Sequence, residues 1–184
     1  MDFTSLVLIR QSDRGYLNKQ VEKDKLDRIL ECARLAPSAC NAQPWHLIVI
    51  DNPELKDQVA EATSEKILGM NHFTRQAPIH IVLVEEPANF TSSFGGWIKR
   101  KHYPLIDIGI IAQHICLAAA AEGLGSCMIG WFDEGKIRKI CRVPDSRRVQ
   151  LIITIGYSAV KTRTKIRKPM EEIVSYNGYG KSKL

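Results

Sequence analysis

Ten residues organise the chain: Ala36-Pro37-Ser38-Ala39-Cys40-Asn41-Ala42-Gln43-Pro44-Trp45. They join an amphipathic helical pattern to an apolar pattern of strand type. Pro37 ends the helix, because the residue before a proline is displaced from the α-helical region. Pro44 stiffens the start of the strand. A rigid loop of small polar residues can bring backbone and amide groups close to a flat polar ligand, although it would serve equally well as a plain connection.

Apolar periodicity outside this loop predicts further helices and strands. Helices are predicted at 3–9, from Asp24 to the loop, from Pro53 to about Leu68, at 103–122, at 133–143 and at 168–174. Strands are predicted at 45–50, 79–84 and 149–157, and a short apolar segment covers 127–132. Residues 85–102 have no clear period, which is typical of either a disordered connector or a mobile flap with aromatic groups.

The helix predicted at 103–122 is apolar on most of its faces. Such a helix is buried, either in a core or between subunits. A chain of 184 residues has little room for a central helix unless a partner covers it, so this pattern favours a dimer. Its main polar interruptions are Asp107, Gln113 and His114.

Length and composition fit one domain that spans residues 1–184, with 45% hydrophobic and 25% charged residues. No apolar run approaches the ~20 residues of a membrane span, so no membrane partner is expected. The first residues show no signal-peptide pattern. Five cysteines form neither a C-x-x-C pair nor a zinc spacing. Their odd number and loose spacing favour reduced thiols, a cytoplasmic location and no bound metal.

The net charge of +6 is concentrated near the end of the chain and around 97–102. Such a balance favours anionic ligands, either nucleic acid or a phosphate-bearing cofactor. Near the start, Arg10, Ser12 and Arg14 alternate, so in an extended conformation their side chains point the same way. Two guanidinium groups beside a hydroxyl form a good anion clamp, although a solvated turn with two surface arginines is the simpler interpretation.

Common catalytic motifs are absent from the sequence: no G-x-S-x-G elbow, H-E-x-x-H, P-loop or acidic metal cluster occurs. A dinucleotide fingerprint fails at 123–128, because Met128 stands where the third glycine belongs and the glycines follow a helix instead of a strand. If the chain is an enzyme, a bound cofactor therefore carries the reaction.

Several short motifs, in order along nearly the whole chain, resemble the nitroreductase family of FMN-dependent oxidoreductases. They are Arg10-Gln11-Ser12-Asp13-Arg14, the loop Ala36–Trp45, Asp107-Ile108-Gly109, Gly123-Leu124-Gly125-Ser126, Ile129-Gly130, Ile155-Gly156-Tyr157 and Lys165-Ile166-Arg167-Lys168-Pro169. The resemblance implies an α+β fold with a central, mostly antiparallel sheet surrounded by helices. It also implies an intertwined homodimer with two FMN sites at the subunit interface.

The resemblance also assigns residues to the FMN site. Arg10, Ser12 and Arg14 would hold the phosphate and the pyrimidine edge, and Lys165 and Arg167 would complete the phosphate clamp. The remaining implied cofactor-binding residues are Gln11, where the family often has a basic residue; Pro37, Ser38, Ala39, Asn41 and Gln43 from the partner subunit; and Met128, Ile129 and Gly130 near the ring, with a backbone N–H facing flavin N5.

The implied activity is a ping-pong reaction, in which NADH or NADPH gives a hydride to flavin N5 and a small electron-poor acceptor then takes the electrons. Nitroaromatic, quinone, enone and free flavin acceptors all remain open, and no side chain acts as a dedicated catalytic group. Phe94, Trp97, Tyr103 and Trp131 are the candidate substrate pocket, with plain packing as the alternative for the two tryptophans.

Other functions remain open within and outside the family. One is a flavin-binding or storage protein without redox turnover, and another is a flavin-dependent dehalogenase or flavin-cleaving relative. A nucleic-acid-binding domain is suggested only by charge, and the sequence lacks its usual motifs, so no nucleic acid partner is expected.

Overall fold

The computed structural model of the chain describes residues 2–64, 69–87 and 101–180. Its helices are α1 (Phe3–Ile9), α2 (Lys23–Arg34), α3 (Pro53–Thr63), α4 (Tyr103–Ala121), α5 (Glu134–Cys141) and α6 (Met170–Ile173), with 3-10 turns at Ala39–Asn41 and His72–Gln76. Its strands are β1 (Trp45–Ile50), β2 (Ile79–Glu85), β3 (Gly125–Ile129) and β4 (Arg148–Gly156).

The four strands form one sheet in the order β1-β2-β4-β3, and every neighbouring pair is antiparallel. A row of apolar residues crosses the sheet, with Ile48 opposite Val82, Val82 opposite Ile152 and Ile152 opposite Ile129. Such cross-strand pairs fix the register, because a slip by one residue would turn each side chain to the other face. The predicted α+β fold with a mostly antiparallel sheet is confirmed.

Helices cover both faces of this sheet. On one face α2 and α4 pack against alternate strand residues such as Ile81 and Ile153, and Ile29 and Ile111 complete that core. On the other face α3 and α5 pack against the intervening residues, with Ile137 fully buried. This alternation of inward side chains is what the pleat of a strand produces.

Helix α4 is the most buried of the helices that cover the sheet. It packs against α2, β2, β3 and β4. Within the described residues it is the one helix long and apolar enough to cross a membrane, with a mean hydropathy of 1.6, which corrects the expectation that no apolar run approaches that length. A core helix passes the same test of length and composition, and the contacts of α4 are those of a core helix.

Several predicted boundaries differ from the structure, and the largest differences are at β3 and at the end of α3. Strand β3 begins at Gly125, because Gly125 and Ser126 pair with Gly156 and Ile155, whereas the sequence pattern placed the apolar segment at 127–132. Helix α3 ends at Thr63 instead of near Leu68, which lies outside the described residues, as does most of the aperiodic segment 85–102. Glu85, the first residue of that aperiodic segment, is the last residue of β2.

Candidate functional site

The segment after α1 lies against β3 and is held there by Asp13. Ser12 forms a parallel bridge with Ser126, and the Asp13 N–H donates to the Ser126 carbonyl at 2.9 Å. The Asp13 carboxylate is buried and accepts from the Ser126 N–H at 3.2 Å and the Ser158 hydroxyl at 2.6 Å. These contacts fix the positions of the residues on either side of Asp13.

Gln11 ties this segment to the other end of the chain. Its amide Nε2 donates to the Lys161 carbonyl at 3.2 Å and to Asp13 Oδ1 at 3.0 Å. Its Oε1 accepts from the Arg163 backbone N–H at 3.0 Å, and the Arg163 guanidinium donates to the Ser12 carbonyl at 2.9 Å. The Gln11 side chain therefore joins two segments that are about 150 residues apart in the sequence.

The two segments enclose an open cleft of about 350 Å³. Its lining is rich in cations and consists of Arg10, Gln11, Ser12, Arg14, Arg163, Thr164, Lys165, Ile166 and Arg167. Within the described part of the chain, no carboxylate forms an ion pair with any of the five cationic side chains in this lining. The cleft therefore carries positive charge that an anion would neutralise.

Lys165, like Arg10, is half-buried in this cleft. Its Nζ donates to the Arg10 carbonyl. Desolvation lowers the pKa of Lys165 below the ordinary lysine value, and the nearby Arg10 and Arg167 guanidinium groups lower that pKa further. A bound anion would reduce the electrostatic repulsion between these like charges. Arg and Lys are suitable hydrogen-bond donors for the oxygens of a phosphate.

Five residues that the sequence analysis placed in a phosphate clamp thus line one cleft: Arg10, Ser12, Arg14, Lys165 and Arg167. The structure adds three lining residues that the analysis did not assign to the site, Arg163, Thr164 and Ile166. The alternation of basic residues at 161, 163, 165 and 167 is a signal that could have found Arg163, since alternate residues of an extended segment share a side.

The loop at 37–43 lies elsewhere, against the start of α4. The Ala39 N–H donates to Asp107 Oδ1 at 3.1 Å, and the Gln43 N–H donates to the Ser38 hydroxyl at 2.9 Å. Within one chain, neither Pro37 nor the other predicted loop residues line the cation cleft. The structure therefore does not bring the loop and the cleft together within a single subunit.

The end of β3 presents a third group of predicted residues. Met128 is half-buried, Ile129 is buried, and Gly130 and Trp131 are exposed beyond the strand. Asn71 holds this turn, because its Nδ2 donates to the Trp131 carbonyl at 3.2 Å. Tyr103, at the start of α4, is half-buried.

None of these β3 and α4 residues is in the lining of the cation cleft. The other two candidates for the substrate pocket, Phe94 and Trp97, lie outside the described residues.

An antiparallel sheet between two helical layers, with a cation-lined cleft at its edge, defines an α+β protein with a site for an anionic ligand. Comparison with known families identifies it further, since the model of the Nitroreductase family matches residues 7–157. The chain therefore belongs to the nitroreductase family.

Solved structures and curated relatives agree with this membership. A nitroreductase family protein of Clostridium novyi NT is 30% identical, with a TM-score of 0.77 over 99% of this chain and 97% of that chain. An FMN-dependent nitroreductase of Clostridium difficile R20291 is 29% identical, with a TM-score of 0.77 over 96% of this chain and 100% of that chain. An oxygen-insensitive NADPH nitroreductase of Helicobacter acinonychis is 27% identical over 83% of this chain and 85% of its own length.

Proposed function

We propose that the protein is an FMN-dependent oxidoreductase that takes electrons from NAD(P)H and delivers them to a small electron-poor acceptor such as a nitroaromatic compound or a quinone. The observation that carries the proposal is the cation-lined cleft where the two ends of the chain meet. When bound, FMN supplies a carrier that accepts a hydride from NAD(P)H and passes electrons to the acceptor in ping-pong order.

The residues of the cleft fit the phosphate of FMN. Arg10, Arg14, Lys165 and Arg167 offer charged donors, and Thr164 belongs to the same lining. Donors of this kind form short, strong hydrogen bonds to phosphate oxygens. The chain's own contribution is to bind and orient the cofactor and to place positive charge beside it, which stabilises negative charge that develops during reduction.

A second copy of the chain is proposed to complete the site. Large apolar side chains are exposed on one chain, including Phe3 at 67%, Leu8 at 57%, Ile106 at 53% and Ile166 at 90%. Phe3 and Leu8 lie on α1, which packs on α4, the helix that carries Ile106, and exposed apolar residues on adjoining helices are typical of a protein–protein interface. In the proposed homodimer, the loop at 37–43 of one subunit reaches the cofactor held by the cleft of the other.

The acceptor is proposed to bind beside the turn that follows β3. A backbone N–H of residues 128–130 would face the flavin ring, and Trp131, which follows them, has 59% of its surface exposed. An exposed aromatic ring at a fixed position can stack on a flat acceptor. Tyr103, Phe94 and Trp97 are the other proposed contributors to this pocket.

An anaerobic spectroscopic titration tests the proposal. The purified protein, loaded with FMN, should lose its visible flavin absorption on addition of NADH or NADPH and regain it on addition of a nitroaromatic compound or a quinone. A protein that binds FMN but keeps its absorption with both donors would support flavin storage instead. A protein that binds no FMN would overturn the proposal.

A further inference from the structure

Asp107 connects the core helix α4 to the loop at 37–43. Its side chain is only 2% exposed, and its Oδ1 accepts the hydrogen bond from the Ala39 N–H at 3.1 Å. Its Oδ2 is also buried and has no hydrogen-bond partner among the described residues. A buried carboxyl oxygen without a partner destabilises the fold, so a purely structural role is a poor explanation for an aspartate at this position.

The loop that Asp107 holds has an unfavourable backbone conformation. Cys40, Asn41 and Gln43 have φ angles of 52°, 51° and 48°, all in the left-handed region. Residues such as Cys and Gln rarely adopt this region, because Cβ then crowds the backbone, whereas Asn adopts it more readily. Three such residues in one short loop persist only when surrounding contacts hold them, and strain of this kind is concentrated at functional sites.

Two of the side chains that supply such contacts act at opposite ends of the loop. Asp107 holds the Ala39 N–H, and the Ser38 hydroxyl accepts from the Gln43 N–H at 2.9 Å. Asp107 lies on a helix that is anchored in the core, so it fixes the loop relative to the sheet. Ser38 lies within the loop and fixes only its curvature.

We propose that Asp107 is a positioning residue for the cofactor site: it holds the loop at 37–43 in the strained conformation that receives FMN from the second subunit. This inference rests on the proposed function, because it takes FMN as the ligand of the loop. The inference assigns a role in FMN binding to Asp107, which does not line the cation cleft and acts through its hydrogen bond with the Ala39 N–H.

Two substitutions separate the hydrogen bond from the carboxyl charge. Asp107→Asn retains an oxygen that can accept from the Ala39 N–H, whereas Asp107→Leu has a similar size and no acceptor. Glu122→Ala is the matched control, because Glu122 lies at the other end of α4 and pairs with Arg28 at 2.8 Å, far from the loop in the sequence.

The first measurement needs no cofactor. Hydrogen exchange of the peptide that covers 37–44 is followed by mass spectrometry in the FMN-free protein. We expect Asp107→Leu to speed exchange of this peptide by about tenfold or more, and Asp107→Asn and Glu122→Ala to change it by less than about threefold. Unchanged exchange in Asp107→Leu would overturn the inference that Asp107 holds the loop.

The second measurement is the affinity for FMN, followed by quenching of flavin fluorescence. We expect Asp107→Leu to bind FMN about tenfold or more weakly, and Asp107→Asn to recover affinity to within about threefold of the wild type. Equal losses in both variants, or fast exchange in Asp107→Leu with unchanged affinity, would overturn the positioning role. If the wild type itself binds no FMN, the proposed function fails, and the exchange result still decides whether Asp107 holds the loop.

Discussion

Lys165 is one of the residues through which the two ends of the chain come into direct contact, together with Gln11 and Arg163. Its Nζ donates to the Arg10 carbonyl, and its neighbours in the cleft are cations. We predict that Lys165→Ala weakens FMN binding by about 10- to 100-fold, because a hydrogen bond to a charged group contributes about 1.5–3 kcal/mol. Fluorescence titration with FMN measures the change.

The matched control is Lys168→Ala. Lys168 is exposed, approaches Glu172 at 3.8 Å and does not line the cleft. We expect this variant to bind FMN within about twofold of the wild type, since exposed ion pairs of this kind contribute little. Equal losses in the two variants would mean that general positive charge, and not the cleft, determines binding.

His80 makes the stability of the protein depend on pH. Its ring is fully buried on β2, and neither ring nitrogen has a hydrogen-bond partner among the described residues. The pKa of His80 is lowered from 6.5 to about 4, chiefly by burial and to a smaller extent by Lys56, while a nearby backbone group of Thr74 and the Asp57 carboxylate oppose this shift. The folded state therefore holds the neutral ring, and the unfolded chain takes up the proton first as the pH falls.

The free energy of unfolding should consequently decrease by roughly 3 kcal/mol from this group as the pH falls from about 6.5 to about 4, in addition to the effect of other groups. Urea denaturation at several pH values measures it. His80→Val should flatten the dependence over this window, whereas His46→Gln, at an exposed position on β1, should leave it unchanged. A slope that is the same in wild type and His80→Val would contradict the prediction.

Part of the site could be predicted from single residues, and part could not. Arg10, Ser12 and Arg14 alternate, so their common direction follows from the sequence, and they line one cleft. The partners of Gln11 could not be predicted, because Lys161 and Arg163 lie about 150 residues away. Gln11, which was expected to contact the cofactor, lines the cleft, and its amide also joins the two segments.

At the scale of elements, β3 depends on a close approach to the segment after α1. A Cβ atom added to Gly125 would lie 2.7 Å from Asp13 Cγ, which is closer than real contacts allow. We predict that Gly125→Ala lowers the free energy of unfolding by about 1–3 kcal/mol, because either β3 or the Asp13 segment must move. Denaturation with urea measures this loss.

Gly135→Ala is the control for this change. Gly135 lies in α5, where an added Cβ would lie 3.5 Å from Asp133 Oδ1, an ordinary contact. Alanine is also favoured over glycine within a helix by about 1 kcal/mol, so this variant should be as stable as the wild type or more stable. A Gly125→Ala protein of unchanged stability would show that the segment after α1 is not packed as described.

The elements differ in how well the sequence predicts them. Helix α4 was predicted within one residue, since its apolar pattern is long and Gly123, with φ of +74°, ends it. The start of β3 was missed, because the glycines at 123 and 125 both indicate a turn. Gly125 is nevertheless part of the strand, since it pairs with Gly156 and leaves room for Asp13.

At the scale of the whole molecule, the exposed apolar residues of α1 predict a homodimer. Leu8 is 57% exposed on this helix, which packs on α4 and has no buried residue. We expect light scattering to give about twice the chain mass of 20.7 kDa for the wild type. Leu8→Asp should shift the protein toward the monomer and weaken FMN binding, because a charge at an apolar interface is costly.

Leu55→Asp makes the same change on α3, which covers the opposite face of the sheet, where Leu55 is 37% exposed. This control should keep both the mass and the FMN affinity of the wild type. A monomeric wild type that binds FMN with full affinity would contradict the proposal that a second subunit completes the site.

The antiparallel sheet and the helical layers followed from apolar patterns that extend over whole elements. The relation between the loop at 37–43 and the cation cleft could not be predicted from such patterns, because the loop does not line the cleft within one chain. If two copies share a site, the residues from the two copies do not contact one another within a single chain. A pattern in the sequence of one chain then gives no sign that they belong together. The function of the whole molecule therefore depends on what the cation cleft binds.

The most direct test is to compare the affinities of the protein for FMN and for riboflavin, which has the same ring system and lacks the phosphate. If the cation cleft holds the phosphate, FMN should bind at least about 100-fold more tightly than riboflavin, since two or more charge-assisted hydrogen bonds are lost without it. Equal affinities, or no binding of FMN, would contradict the account.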